Sequence, residues 1–277
     1  MIHFLSEIRR LVVRSSWLTR TGVGILVVMV LAGIFVPMFS QYGPDEDTGL
    51  ELNGPSASNW FGTDNLGRDV FVRSFEAARI DIGLAVAGVG IALIIGTLIG
   101  VYAAMSPIPQ VRTLINLVIS GINAFPSIVL LLAVVSVLGG GDIALLAAVT
   151  ISAWTRYATL AESRTSIVRR MDFISALSVL GYGRVRVIVL HLLPNVMSEC
   201  FAYAVSEFTA VVITIGSLSF LGSGVQPPTP EWGAMISASR LYLSAAPWMT
   251  WGPGILLVVT GLGAALIGEA RRRQQHG

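Results

Sequence analysis

The chain has 277 residues, of which 54% are hydrophobic and only 12% are charged, with a formal net charge of +2 and a mean hydropathy of +0.75. Soluble domains carry about a quarter charged residues, so this composition excludes an ordinary soluble domain and indicates a membrane protein. All 18 basic residues are arginine and Cys200 is the single cysteine, which excludes a P-loop lysine, a Schiff-base lysine, an intrachain disulfide and a cysteine-rich metal site.

A membrane-spanning helix needs about 20 predominantly apolar residues. The sequence predicts six such spans, at residues 21–39, 80–105, 114–138, 143–160, 196–221 and 248–267. We expect the first span to be retained, since no A-x-A-like cleavage site follows it. The predicted organisation is a segment 1–20, the first span 21–39, a loop 40–79, a five-helix core 80–268 with loops 161–195 and 222–247, and a tail 269–277.

The arginine distribution predicts the orientation of these spans. If the N-terminus is cytoplasmic, 13 of the 18 arginines fall in cytoplasmic segments, as the positive-inside rule requires. Both termini and the loop 161–195 are then predicted to be cytoplasmic, whereas the loops 40–79 and 222–247 face the outside. The basic balance follows from this topology and does not indicate nucleic-acid binding.

The first long loop contains the polar stretch FGTDNLGRDVFVR, residues 61–73. Asp64 is typical of a turn start and Gly67 of a tight turn. One interpretation is a self-contained turn in which Arg68 pairs with an aspartate, Asp64 or Asp69, and so fixes the backbone. Asp81, a little further on, is predicted to cap the second span.

Two features inside the spans are candidates for a pore or gate. Pro126 predicts a kink in the third span, which is either a hinge or a static bend. Charges within spans are functional candidates by default, and Glu207 lies deep in the fifth span; it either lines a pore or pairs with an arginine. Near the inner end of the fourth span, Glu162 and Arg156 are six residues apart, a poor helical spacing for a pair.

The second long loop predicts a short helix. Asp172 suits its N-cap, and Gly181 suits the glycine that ends it. Apolar residues recur between them at helical spacing: Phe173, Ala176, Leu177 and Leu180. Two turns of helix are marginal in water, so the helix must dock against its own bundle, the lipid surface, or a groove on another protein.

Several segments resemble those of a known family. Ser175, Ala176, Leu177, Gly181 and the downstream Leu193–Pro194 follow the pattern of the EAA loop of type I ABC importer permeases, although Ser175 replaces its glutamate and Leu177 its second alanine. The stretches FGTDNLGRD, AFPS, HLLPN and SLSFLGSGVQPPTPEWGAM resemble segments of the dipeptide, oligopeptide and nickel permeases. The resemblance extends over about residues 60–270 and is closest to the shorter, six-span permease subunit of such systems.

The resemblance implies a fold, a function and partners. It implies an all-α membrane protein in the bacterial inner membrane, forming half of a pore with a sister permease subunit. Two ATPase subunits, which bind ATP and Mg²⁺, and a periplasmic or lipid-anchored binding protein would complete the importer. This chain would then be non-catalytic, with no cofactor or metal of its own.

The same resemblance implies roles for particular residues. The loop helix would be the coupling helix that enters the ATPase groove, with Arg184 beside it and Ser175 at the position of the family glutamate. From its position just outside the second span, the turn formed by Asp64, Gly67, Arg68 and Asp69 would lie at the periplasmic mouth, where its functional interpretation is to cap the pore or to touch the protein that delivers the substrate. Peptides, nickel chelates, opines and glutathione-like molecules all remain open as substrates. A secondary transporter is the alternative class, but no internal repeat in the sequence supports it. An intramembrane enzyme would need paired carboxylates, a Ser/His pair or a metal cluster within the spans, and the sequence shows none of these.

Overall fold

The computed structural model describes residues 17–276, except for the side chains of residues 175, 178, 271, 272 and 274–276. Within this range the regular structure is helical. The α-helices are α1 (Trp17–Phe39), α2 (Val70–Met105), α3 (Pro109–Asn123), α4 (Ser127–Leu138), α5 (Gly141–Val168), α6 (Asp172–Val179), α7 (Arg184–Val187), α8 (Leu193–Phe220), α9 (Trp232–Ser239) and α10 (Trp248–His276). A π-helical turn (Ile188–Leu192) joins α7 to α8, and a 3₁₀ turn (Arg240–Tyr242) follows α9.

Five helical segments of the described chain are long and apolar enough to cross a membrane, and a sixth exists if the bent pair α3–α4 is one span. The five are α1, α2, α5, the α7–α8 segment and α10. All six predicted spans therefore fall on helices. α1 is the least buried of them, with 17% of its apolar window covered.

The third predicted span is not one continuous helix. α3 and α4 meet at 94°, a sharper change of direction than the kink that Pro126 predicts. Proline has no backbone N–H and restricts the residue before it. Two hydrogen bonds from the residues after α3 complete its last turn. The Ala124 N–H donates to Ser120 O at 3.0 Å, and the Phe125 N–H donates to Ile122 O at 3.3 Å.

The helices also extend beyond the predicted loop boundaries. α2 begins at Val70, so the last ten residues of the predicted loop 40–79 are helical. α5 continues to Val168, inside the predicted loop 161–195, and α10 includes the predicted tail to His276. Of the predicted segment 1–20, residues 1–16 lie outside the described range, while residues 17–20 are helical.

Tertiary contacts divide the chain into two compact units. The first contains the described residues up to Val86, Val135–Leu145 and those from Val205 onward. Here α1 packs on α10 at glycines: a Cβ built on Gly22 would lie 2.4 Å from Gly263 O. The loops of this unit share a small core of Val70, Ala246 and Met249, with Phe61 and Trp248 packed against it.

The second unit contains Ala87–Val134 and Leu146–Ala204. Gly96 and Gly100 of α2 lie directly against α5, so close that added Cβ atoms would stand 2.4 Å from Trp154 O and 2.2 Å from Ala158 O. The Gly-x-x-x-Gly spacing therefore works here as a close-packing motif. Polar pairs join α3 to α5 as well, with the Thr155 hydroxyl donating to Asn123 Oδ1 at 3.0 Å.

Candidate functional site

The predicted loop helix is present as α6, Asp172–Val179. Gly181 ends it in the left-handed region at φ = +79°, where a residue with a Cβ is strained. The Tyr182 N–H then donates to Leu177 O at 3.1 Å, as a C-cap of this type requires. The local signals in the sequence thus identified both the helix and its stop.

α6 presents a partly exposed apolar surface. Leu180, just beyond its last turn, is 72% exposed, Val179 is 88% exposed and Phe173 is 42% exposed. Ile174, which was not among the predicted residues, is buried at 8% exposure. One side of the helix is therefore packed on its own unit, while Phe173 and Val179 stay exposed.

Two arginines that flank α6 hold the end of α2. Arg169 Nη1 donates to Ala104 O at 2.7 Å, and Arg184 donates to Met105 O. The last carbonyls of a helix have no partner within the helix and carry a partial negative charge, so guanidinium groups are suitable donors there. Arg184 was a predicted site residue; the role of Arg169 was missed, because the sequence does not show which helix end it reaches.

The chain after α6 forms a small ring cluster. The Arg186 guanidinium lies over the Tyr182 ring at 5.0 Å, and the Tyr182 and His191 rings are 6.3 Å apart. These contacts connect α7 to the π-helical turn that leads into α8. The segment 169–192 is therefore a folded element tied at both ends. Nothing is described of the Ser175 side chain, so its predicted place in the triplet stays a prediction.

The structure brings together the four predicted residues of the first loop in one turn. The Asp64 carboxylate accepts the Leu66 N–H at 2.8 Å and the Arg68 N–H at 3.0 Å, and it pairs with the Arg68 guanidinium at 2.7 Å. Gly67 provides the positive φ of +70° that this turn needs. The predicted pairing of Arg68 with an aspartate is confirmed; the turn also binds the preceding loop residues, since the Thr48 N–H donates to Gly67 O at 2.9 Å.

Asp69 begins α2 as its N-cap. Its carboxylate accepts the Phe71 N–H at 2.8 Å and the Val72 N–H at 3.1 Å, and Asn59 donates to it at 2.7 Å. Arg73, one turn into the helix and 5% exposed, donates to Pro44 O, Asp45 and Pro228 O. Residues 40–69 and 222–247 are thereby joined, and we call these two segments together the loop cap.

A buried acidic residue of the loop cap was missed at the sequence level. Glu231 is 0% exposed and caps α9, accepting the Gly233 N–H at 2.9 Å and the Ala234 N–H at 2.7 Å. Burial raises the pKa of this carboxyl, although the two backbone donors oppose the shift. The segment was recognised as a motif, but a local sequence pattern does not reveal what the carboxylate faces.

The two candidate pore or gate residues, Pro126 and Glu207, lie in the third and fifth predicted spans. Pro126 lies in the break between α3 and α4, directly before Ser127, and Glu207 is buried within α8 at 6% exposure. Glu162 pairs with Arg112 at 2.5 Å, a better-placed partner than the Arg156 considered from spacing. Among the described residues no group of three or more His, Cys, Asp or Glu side chains could hold a metal ion.

Comparisons with known proteins give a consistent result. The family model described as "Binding-protein-dependent transport system inner membrane component" matches residues 96–270. The dipeptide transport system permease protein DppC of Alkalihalophilus pseudofirmus is 34% identical over 260 residues, covering 94% of this chain and 85% of its own. The oligopeptide transport system permease protein OppC of Bacillus subtilis is 32% identical over 264 residues, with the same two coverages.

Two further comparisons bear on substrate and fold. The glutathione transport system permease protein GsiD of Escherichia coli is 33% identical over 261 residues, covering 94% of this chain and 86% of its own. Among solved structures, a chain of the inward-facing MetNI methionine ABC transporter superposes with a TM-score of 0.55 at 16% identity, covering 73% of this chain and 95% of that one. At that identity the likeness concerns the fold alone.

Proposed function

The chain belongs to the family of binding-protein-dependent transport system inner membrane components, and from that premise we propose that it lines half of an importer's pore and receives the ATPase through α6. In this proposal the chain performs no covalent chemistry. Its spans alternate between two arrangements, and a separate ATPase biases the equilibrium between them. A sister permease subunit forms the other half of the pore in the bacterial inner membrane.

The observation that carries the proposal is the uncovered apolar surface of α6. Val179 and Leu180 are 88% and 72% exposed. They lie on a loop element that hydrogen bonds from Arg169 and Arg184 connect to the end of α2. A short helix with exposed apolar anchors fits the helix-in-groove mode of recognition. Lipid is the other apolar environment, but the arginines that flank this helix favour a water-facing loop on the cytoplasmic side.

The substrate class follows from the relatives. Relatives named for dipeptide, oligopeptide and glutathione transport all match over more than nine-tenths of the chain, so we propose short peptides or peptide-like molecules. A binding protein would deliver them to the loop cap, with the Asp64–Arg68 turn at the periplasmic mouth. Pro126 and Glu207 remain proposed gate and pore residues.

The test replaces the most informative exposed residue. Leu180→Asp adds a charge to the surface that would enter the ATPase groove, so we expect loss of co-purification with the ATPase subunits and at least a tenfold loss of uptake. A tenfold weaker affinity for the ATPase would correspond to about 1.4 kcal/mol of binding free energy. The measurements are ATPase recovery on an affinity-tagged permease and uptake of a labelled dipeptide.

A matched control is Leu241→Asp, the same change at a residue that is 87% exposed in the loop cap. It should leave ATPase recovery unchanged. Normal ATPase recovery and uptake in the Leu180→Asp protein would refute the docking role of α6. Loss of recovery in both variants would show a general folding defect, which a size-exclusion profile of each detergent-solubilised protein detects.

A further inference from the structure

Two buried carboxyl groups are neighbours inside the first unit. Asp81 of α2 is 1% exposed and Glu231 of the loop cap is 0% exposed. Asp81 accepts the backbone N–H of Trp232, the residue that follows Glu231, at 3.1 Å, and the two carboxyls interact directly. Trp232 is also 0% exposed and donates its indole N–H to Ser74 O at 2.9 Å.

Most of the carboxyl oxygens already have a donor. Glu231 accepts one backbone N–H on each oxygen, from Gly233 and Ala234. Asp81 Oδ2 accepts the backbone N–H of Trp232 at 3.1 Å. Asp81 Oδ1 is the remaining atom: it is buried and receives no N–H or O–H from the described residues. The neighbouring side chain that interacts with Asp81 is the Glu231 carboxyl, which can accept a hydrogen bond from it.

No cation neutralises the pair. In the described part of the chain, none of the ion pairs includes Asp81 or Glu231. Arg73, on the same helix as Asp81, is engaged with Asp45 and Pro228 O. Arg240, which follows α9, donates to Phe220 O and lies over the Phe220 ring at 4.5 Å.

The nearest contributions from α8 and α10 are uncharged. Ser219 of α8 is a buried polar neighbour of Glu231, and α10 meets the end of α9 through Thr250 and Ser239, 2.5 Å apart. Two ionised carboxylates in contact, both dehydrated, repel strongly and cannot form a hydrogen bond, because an ionised carboxylate only accepts. A single proton shared by the two carboxyls removes the repulsion and supplies the missing hydrogen-bond donor.

We propose that Asp81 and Glu231 form a buried site for a single proton, carried on Asp81 Oδ1 and donated to the Glu231 carboxylate, which fastens α9 to α2. Every carboxyl oxygen of the pair then has a partner. The pair carries one negative charge, placed at the N-terminus of α9, where two backbone N–H groups and the helix dipole stabilise it.

The proton makes the attachment of α9 dependent on pH. The folded chain holds the shared proton between the two carboxyls, whereas in the unfolded chain the carboxyls are separate and solvated, so folding takes up a proton. The contribution of this contact to stability is therefore present at acidic pH and is lost as rising pH removes the proton. We expect α9 to stay fastened when the medium outside is mildly acidic and to loosen under alkaline conditions.

The experiment detects the proton directly. The full chain, with any subunits that co-purify, is placed in lipid nanodiscs, and the infrared carbonyl band of protonated carboxylic acids is recorded at neutral pH. Asp81→Asn provides the assignment, since an asparagine amide can accept from Trp232 and donate to Glu231 as the protonated aspartate does. We expect the wild-type chain to show the band and the Asp81→Asn chain to lack that component.

Thermal unfolding across pH gives the second measurement. Asp81→Asn should match the wild type at acidic pH and exceed its Tm as pH rises, because the asparagine cannot ionise. Glu231→Gln should lower Tm at every pH, since an amide nitrogen would then face a backbone N–H. Glu162→Gln is the matched control: that carboxylate faces Arg112, so its loss should lower Tm where the carboxylate is ionised and should not produce the gain in Tm at high pH that we expect for Asp81→Asn.

Three results would overturn the proposal. The first is a wild-type chain with no protonated-carboxyl band at neutral pH. The second is a band that survives unchanged in Asp81→Asn. The third is a band that appears only after Na⁺ and Mg²⁺ are withdrawn, which would identify the site as one for a small cation. All three readouts are independent of ATPase docking, so they also stand apart from the test of α6.

Discussion

At the scale of single residues, the glycines of α2 differ in whether a side chain would fit. At Gly96 an added side chain would meet Trp154 O and the Tyr157 Cβ at 2.4 and 2.6 Å, whereas at Gly90, on the same helix, nothing lies within 4 Å. The two positions look alike in sequence. Only the packing of α2 on α5 separates the glycine that is required from the one that is dispensable.

We therefore expect Gly96→Val to destabilise the chain by about 1–3 kcal/mol, the usual effect of overpacking. Gly90→Val is the control and should be tolerated, because its side chain enters open space. The measurement is the Tm of each purified protein in the same detergent. Equal losses in the two variants would contradict the close contact described for α2 and α5.

Charged residues show where sequence reasoning stops. Within the sequence, the arginine considered as a partner for Glu162 was Arg156, at a poor helical spacing. In the structure Glu162 pairs with Arg112, which lies 50 residues earlier on another helix. Asp81 was predicted as a cap, yet it faces Glu231, 150 residues away. Local spacing predicts caps and turns, as it did for Asp64 and Gly181, because their partners lie within a few residues. It cannot predict pairs that only the tertiary fold brings together.

For whole elements, the same distinction holds. α6 was predicted almost to the residue, because its stop signal at Gly181 and its apolar spacing are local. The 94° break between α3 and α4 was predicted only as a kink. Pro126 marks the position at which the helix must be interrupted, but the direction of the next helix depends on what it packs against, which no local pattern encodes.

The stop of α6 gives a prediction for this element. Gly181→Ala places a Cβ at φ = +79°, which costs roughly 1–2 kcal/mol. If that strain frays the helix, affinity for the ATPase should fall by a factor of about 5–30. Gly183→Ala, at φ = −62° in open space, is the matched control and should bind normally. Titration of purified ATPase onto each permease in nanodiscs measures both.

For the whole molecule, the relatives establish the family, but the membrane orientation rests on arginine counts. Cys200 is the single cysteine of the chain and is buried, so a Cys200→Ser chain is a clean background for labelling. In that background, Leu180→Cys should react with a membrane-impermeant maleimide only in inside-out vesicles. Leu241→Cys, in the loop cap, should react only in right-side-out cells. Labelling of both from the same side would refute the predicted topology.

The two arginines at the end of α2 have a mechanical consequence. Arg169 comes before α6 and Arg184 comes after it, and they grip the adjacent carbonyls of Ala104 and Met105. The segment that contains α6 is thus attached to the end of α2 by two separate hydrogen-bonded contacts, one on each side of α6 in the sequence. Because each arginine has its own acceptor, we expect the loss of either side chain alone to leave the other contact in place. Any displacement of α6 would then be passed to the end of α2 through two connections in parallel.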